Sequence, residues 1–163
     1  MAEGRVVRVG VTVGLLAATH FLLHVGFSWG RGAPDLLTLA VLLAAREVRA
    51  GPAAAVGLAM GLLEDALSVL SFGANTVAMT IVGIAGALSR DLFVGDSRFF
   101  LGAYLFLGKV ARDFVRWASV GDELRQSFVD QVLIDGAVSG LYVAAIGWLV
   151  AALTGVASAG RDP

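Results

Sequence analysis

Residues 136–157, GAVSGLYVAAIGWLVAALTGVA, hold no charged side chain. About 20 consecutive, mostly apolar residues are what an α-helix needs to cross the hydrocarbon core of a bilayer. This run therefore sets the scale against which the rest of the chain is read. Five further apolar runs precede it, separated by short polar, glycine- or proline-bearing turns. Together they predict spans at approximately 6–29, 34–46, 52–70, 74–89, 98–119 and 130–157. The second is short and the fifth turns charged after Gly108.

The fold class expected from this pattern is all-α: a polytopic membrane protein with six transmembrane helices in a single bundle over residues 1–163. Residues are 58% hydrophobic and 15% charged, with mean hydropathy +0.83. Soluble domains carry about 45–50% apolar and roughly 25% charged residues. Six spans with short loops leave no room for a separate soluble domain. Every backbone polar group in lipid must be satisfied within its own segment, which favours helices. The period-two alternation of a membrane barrel is not evident. The first run, flanked by Arg5 and Arg8, is too long for a signal-peptide core and lacks a small-x-small cleavage site, so it is read as a retained helix.

Net charge is −1 with no basic tail and no aromatic-rich basic face, which argues against nucleic acid. Cysteine is absent, so disulfides and thiolate chemistry are excluded. Counting Lys and Arg near the helix ends orients the bundle. With the N-terminus inside, Arg5, Arg8, Arg46, Arg49, Arg90, Arg98 and Arg161 are cytoplasmic, whereas Arg31 and Arg125, plus Arg116 at the end of helix five, lie outside. Both termini are therefore expected in the cytoplasm.

Charges at membrane depth are costly and mark sites of interest. Glu64 and Asp65 fall inside the third run, about 100° apart on a helix. Either one snorkels or caps the following turn while the other bonds within the bundle, or the two form a functional polar site or ion relay. Lys109, Arg112, Asp113 and Arg116 recur at i, i+3, i+4 and i+7, one stripe on helix five. That stripe should face the bundle interior, a watery cavity or a partner. Asp135 is the expected mate of Lys109 or Arg112, and Asp113 can pair locally with Arg116. His20 and His24 share a metal-compatible spacing but lack a third ligand, so no metal is expected. GxxxG spacing occurs at Gly10/Gly14, Gly26/Gly30, Gly57/Gly61 and Gly136/Gly140. Gly57/Gly61 is the strongest candidate for close helix packing. No catalytic motif is visible, neither G-x-S-x-G nor a phosphate loop nor H-E-x-x-H. A non-enzymatic chain without cofactors is expected.

Pro34-Asp35-Leu36-Leu37 opens the second span. Gly57-Leu-Ala-Met-Gly61-Leu-Leu-Glu-Asp65-Ala-Leu-Ser68 is followed by Phe72-Gly73-Ala74-Asn75-Thr76 and an apolar helix. These segments, over roughly residues 31–95, resemble the rod-shape-determining MreD family. Length and hydropathy carry the resemblance through the remainder. Asp65 matches the family's acidic position better than Glu64, where relatives are expected to be apolar. The resemblance implies a bundle similar to the substrate-binding subunits of energy-coupling-factor vitamin transporters. It also implies a scaffold of the bacterial cell-elongation complex in the inner membrane, supporting cell shape and lateral peptidoglycan synthesis. The implied direct partner is the bitopic protein MreC, with MreB, RodA and a class B penicillin-binding protein in the same complex. Self-association into a homo-oligomer stays open. The alternative is a substrate-binding subunit of a small-molecule transporter, with Glu64, Asp65, Lys109 and Arg112 lining its pocket.

Overall fold

A computed structural model describes residues 2–23, 35–68, 71–89 and 98–154. Among them the chain is all-helical, with six α-helices: α1 (Ala2–Phe21), α2 (Leu36–Glu47), α3 (Ala50–Asp65), α4 (Ala74–Ser89), α5 (Arg98–Ser119) and α6 (Gly136–Thr154). A π-helical segment, Val129–Asp135, leads into α6. Together they form a continuous helical stretch of 26 residues that is long and apolar enough to cross a bilayer. Val6–Phe21 and Ala74–Ser89 are shorter apolar helices. The helix positions follow the apolar runs, with one difference: the third helix ends at Asp65, and residues 66–67 form a turn. His24, Gly26, Gly30, Arg31 and Pro34 lie outside the described residues.

Local chemistry fixes the helix ends. Asp35 caps α2: its Oδ1 accepts the Thr38 N–H at 2.9 Å and its Oδ2 the Thr38 hydroxyl at 2.6 Å. Pro52 sits in the first turn of α3, where a missing N–H leaves no hydrogen bond unmade. Gly73 takes a positive φ of 95° in the turn before α4, a conformation that costs glycine little.

The short second helix is the hub of the bundle. At 12 residues it is roughly 18 Å long, well under a bilayer core. Every residue from Leu36 to Ala45 is buried, and α1, α3, α4, α5 and α6 all touch it. A helix apolar on all sides belongs in an interior, and here the interior is made by its neighbours. Leu36, Leu39, Leu42 and Leu43 join Val82, Leu105 and Val143 in the main core.

α3 and α4 form the tightest pair in the molecule. A methyl group at Gly57 would overlap the Met79 carbonyl, and one at Gly61 would overlap the Thr76 backbone. Gly83 returns the approach from α4, where a Cβ would lie 2.6 Å from the Ala53 carbonyl oxygen. The glycine spacing therefore does what it predicts at Gly57/Gly61. It does not at Gly10/Gly14, which have open space beside them.

Outside, the polarity is reversed from that of a water-soluble domain. Val7 and Leu15 of α1, Leu58 and Leu62 of α3, Ile81 and Leu88 of α4, Phe99 and Leu107 of α5, and Leu141 and Leu153 of α6 are all exposed. Meanwhile Asp65, Asn75, Lys109, Arg112 and Asp113 are buried. Charged residues are almost never fully buried unless paired, and large apolar patches mark surfaces meant for something other than water.

Candidate functional site: a buried charge cluster

The stripe on α5 points inward. Lys109 is 5%, Arg112 6% and Asp113 8% exposed, and Arg116 is half-buried one turn further on. Lys109 reaches both oxygens of Asp113 at 2.5 Å and the Asp35 carboxylate at 3.4 Å. Arg112 spreads its guanidinium over three helices. Its Nη2 donates to Glu64 Oε1 at 2.5 Å and to Asn75 Oδ1 at 2.8 Å; its Nη1 lies 3.1 Å from Asp113 Oδ1 and 3.8 Å from Asp35. Arg116 Nε donates to the same Asn75 oxygen at 2.9 Å. Within this network three acids (Asp35, Glu64, Asp113) pair with Lys109 and Arg112, while Arg116 is held through Asn75. Pairing of this kind is what makes buried charge tolerable.

Asp65 is completely buried and belongs to a different device. Its Oδ2 accepts from the Gly73 N–H (2.9 Å), the Thr76 N–H (2.9 Å) and the Thr76 hydroxyl (2.6 Å), while Oδ1 accepts from the Asn75 N–H (3.2 Å). Located at the end of α3, it thus caps the start of α4 and ties the turn between them. The adjacent acids divide as their 100° separation requires: Asp65 turns to α4, Glu64 to α5. Of the two alternatives open for this pair in the sequence, the geometry is that of capping plus bundle bonding.

Two helix starts gather at this end of the bundle: Asp35 caps α2 and Asp65 caps α4. Helix N-termini carry partial positive charge, so each of the two is met by a carboxylate. Without those acids, Lys109, Arg112 and Arg116 would crowd against two positive helix ends.

The structure changes two expected pairings. Asp135 lies exposed in the π-helical segment, while Lys109 and Arg112 pair with Asp113, Asp35 and Glu64. Asp113 bonds to Lys109 and Arg112, not to Arg116, whose partner is Asn75. Asp135 is the expected mate because it precedes the last apolar run, but the wider turn of a π-helix shifts the face that each side chain takes, and here Asp135 faces outward. Asn75, Thr76 and Thr38 are hydrogen-bond partners of the charged groups that charge counting misses. Asn75 and Thr76 could have been found as the polar residues that open an otherwise apolar run. His20 is buried edge-on to Phe21, with ring centroids 5.7 Å apart. Among the described residues no group of three or more potential ligands gathers as a metal site.

What the cluster can do chemically is hold position. It links α2, α3, α4 and α5 through directional contacts and fixes their rotation about their own axes. No family model, curated protein or solved structure matches this chain.

Proposed function

We propose that this chain is a six-helix integral protein of the bacterial inner membrane, a scaffold of the cell-elongation complex of the MreD kind that engages MreC directly. MreB, RodA and a class B penicillin-binding protein would then join through the same assembly. The observation that carries the membrane half is the reversed polarity: exposed leucine, valine, isoleucine and phenylalanine surround a buried, paired charge cluster. In water that exterior would aggregate; in lipid it is the expected face.

The scaffold half is supported by what the family-like motif does. Gly57 and Gly61 admit the α4 backbone, Asp65 caps α4, and Gly73, Asn75 and Thr76 supply the donors. One motif thus builds one rigid helical hairpin, and Asn75 links it to α5. A bundle whose polar side chains bond to one another suits a protein that presents a fixed surface to partners.

Carbonate extraction of native membranes tests the first half, and the chain should stay in the pellet. Co-purification from the same membranes tests the second: a single-span MreC should accompany the chain. A chain that remains monomeric with MreC present overturns the scaffold. A vitamin-like ligand bound to the purified protein would favour the transporter subunit instead.

A further inference from the structure

Between α4 and α5, beside α2, the bundle has an apolar groove of about 160 Å³. Buried Leu42 and Val82 line it together with the small residues Ala85, Gly86, Gly108 and Ala111. Tyr104 stands in the same groove, held by a 3.0 Å hydrogen bond from its hydroxyl to the Leu42 carbonyl. Over that ring, 5.3 Å from its centroid, lies the Arg46 guanidinium. Arg46 Nη1 is shielded from solvent and has no hydrogen-bond partner. Among the described residues no carboxylate pairs with Arg46.

Two properties of the groove define its occupant. Its volume is close to that of an apolar cavity of about 150 Å³ that takes up benzene, so it has room for roughly half a dozen carbons. A helix about 10 Å across does not enter such a space; a flexible hydrocarbon chain does. Next to the apolar part stands a cation in need of an acceptor, and arginine binds phosphate in a bidentate, charge-assisted geometry. An apolar tail joined to an anionic head is the chemistry that satisfies both.

We propose that this groove holds an acyl chain of one anionic phospholipid, with the lipid phosphate on Arg46. Arg46 is in the last turn of α2, at the end of the bundle assigned to the cytoplasm by the Lys and Arg count. Anionic lipids supply the negative surface potential of that leaflet. The site rests on the bilayer placement proposed above but not on the choice of partner. Carbonate extraction separates the two failures: a chain released from the membrane fails the placement, and an embedded chain with no retained lipid fails only this site.

Native mass spectrometry of the full chain in detergent, titrated with phosphatidylglycerol or phosphatidylcholine of equal chain length, provides the test. The wild-type chain should retain one phosphatidylglycerol about tenfold more tightly than phosphatidylcholine. Arg46→Gln should abolish that preference. Ala85→Leu and Ala111→Leu, both at exposed positions of the groove, should remove retention of both lipids without changing the helical circular dichroism. If Arg46→Gln fails to fold, the Ala111→Leu arm decides alone. Lipid retention unchanged in Ala111→Leu overturns the site, as does an undiminished preference in Arg46→Gln. Displacement of the lipid by inorganic phosphate would show an anion site without a chain and also overturn it. So would loss of a single-span partner in Ala111→Leu with lipid retention intact, which would assign the groove to a helix side chain.

Discussion

Replacing Asp65 by Asn removes one negative charge and keeps almost every atom in place. In the native chain Oδ2 accepts three hydrogen bonds and Oδ1 accepts one. An asparagine can keep its oxygen at the three-bond position, but its NH2 then confronts the Asn75 N–H, donor against donor. One hydrogen bond to a charged acceptor is lost, worth about 1.5–3 kcal/mol. The favourable charge at the start of α4 goes with it, worth roughly 0.3–2 kcal/mol. Asp65→Asn should therefore cost about 2–5 kcal/mol, and Asp65→Ala more, because it strands three backbone donors in the interior. Reversible unfolding in mixed detergent micelles, followed by far-ultraviolet circular dichroism, measures both. A loss below about 0.5 kcal/mol for Asp65→Asn would refute the capping account. If partner binding falls while stability is untouched, Asp65 acts on the partner rather than on the turn.

Arg112→Met leaves Glu64 and part of Asp113 unpaired in the interior and should cost about 3–5 kcal/mol; adding Glu64→Leu should recover part of that loss, with a coupling of about 1–3 kcal/mol in a double-mutant cycle. Gly61→Val drives a side chain into the Thr76 backbone and should abolish a monodisperse peak in detergent size-exclusion chromatography. Gly14→Val, with open space beside it, should leave the peak unchanged. Asp135→Ala, at an exposed position, should shift stability by no more than about 0.5 kcal/mol in the same unfolding assay.

Helix positions were legible in the sequence because each apolar run is a local signal, and the inward stripe on α5 because 3.6-residue periodicity is local too. The mates of that stripe were not. Arg112 joins Glu64 across 48 positions and Asn75 across 37, and nothing in either neighbourhood announces the pairing. Local reasoning chose Asp135 because it precedes the last span, and the π-helical segment turns it outward. The second run looked weak for a physical reason: its length suits a helix enclosed by others. Tyr104 and Arg46, which shape the groove, carried no motif at all, since their relation depends on how α2 and α5 cross.

An enclosed α2 has an evolutionary consequence. In the bilayer placement proposed above, positions on the outside of the bundle touch fluid lipid, which accepts leucine, valine, isoleucine or phenylalanine almost interchangeably. Leu36 through Ala45 touch only fixed neighbours, where even one added or removed methylene is felt. A saturation mutagenesis map of this chain should therefore show a narrow band of intolerance over ten consecutive residues, with all faces of the helix equally strict. The usual three-and-four rhythm of tolerance would appear on α3, α4, α5 and α6 but vanish on α2. The shortest of the six apolar runs would thus be the slowest-drifting segment of the chain.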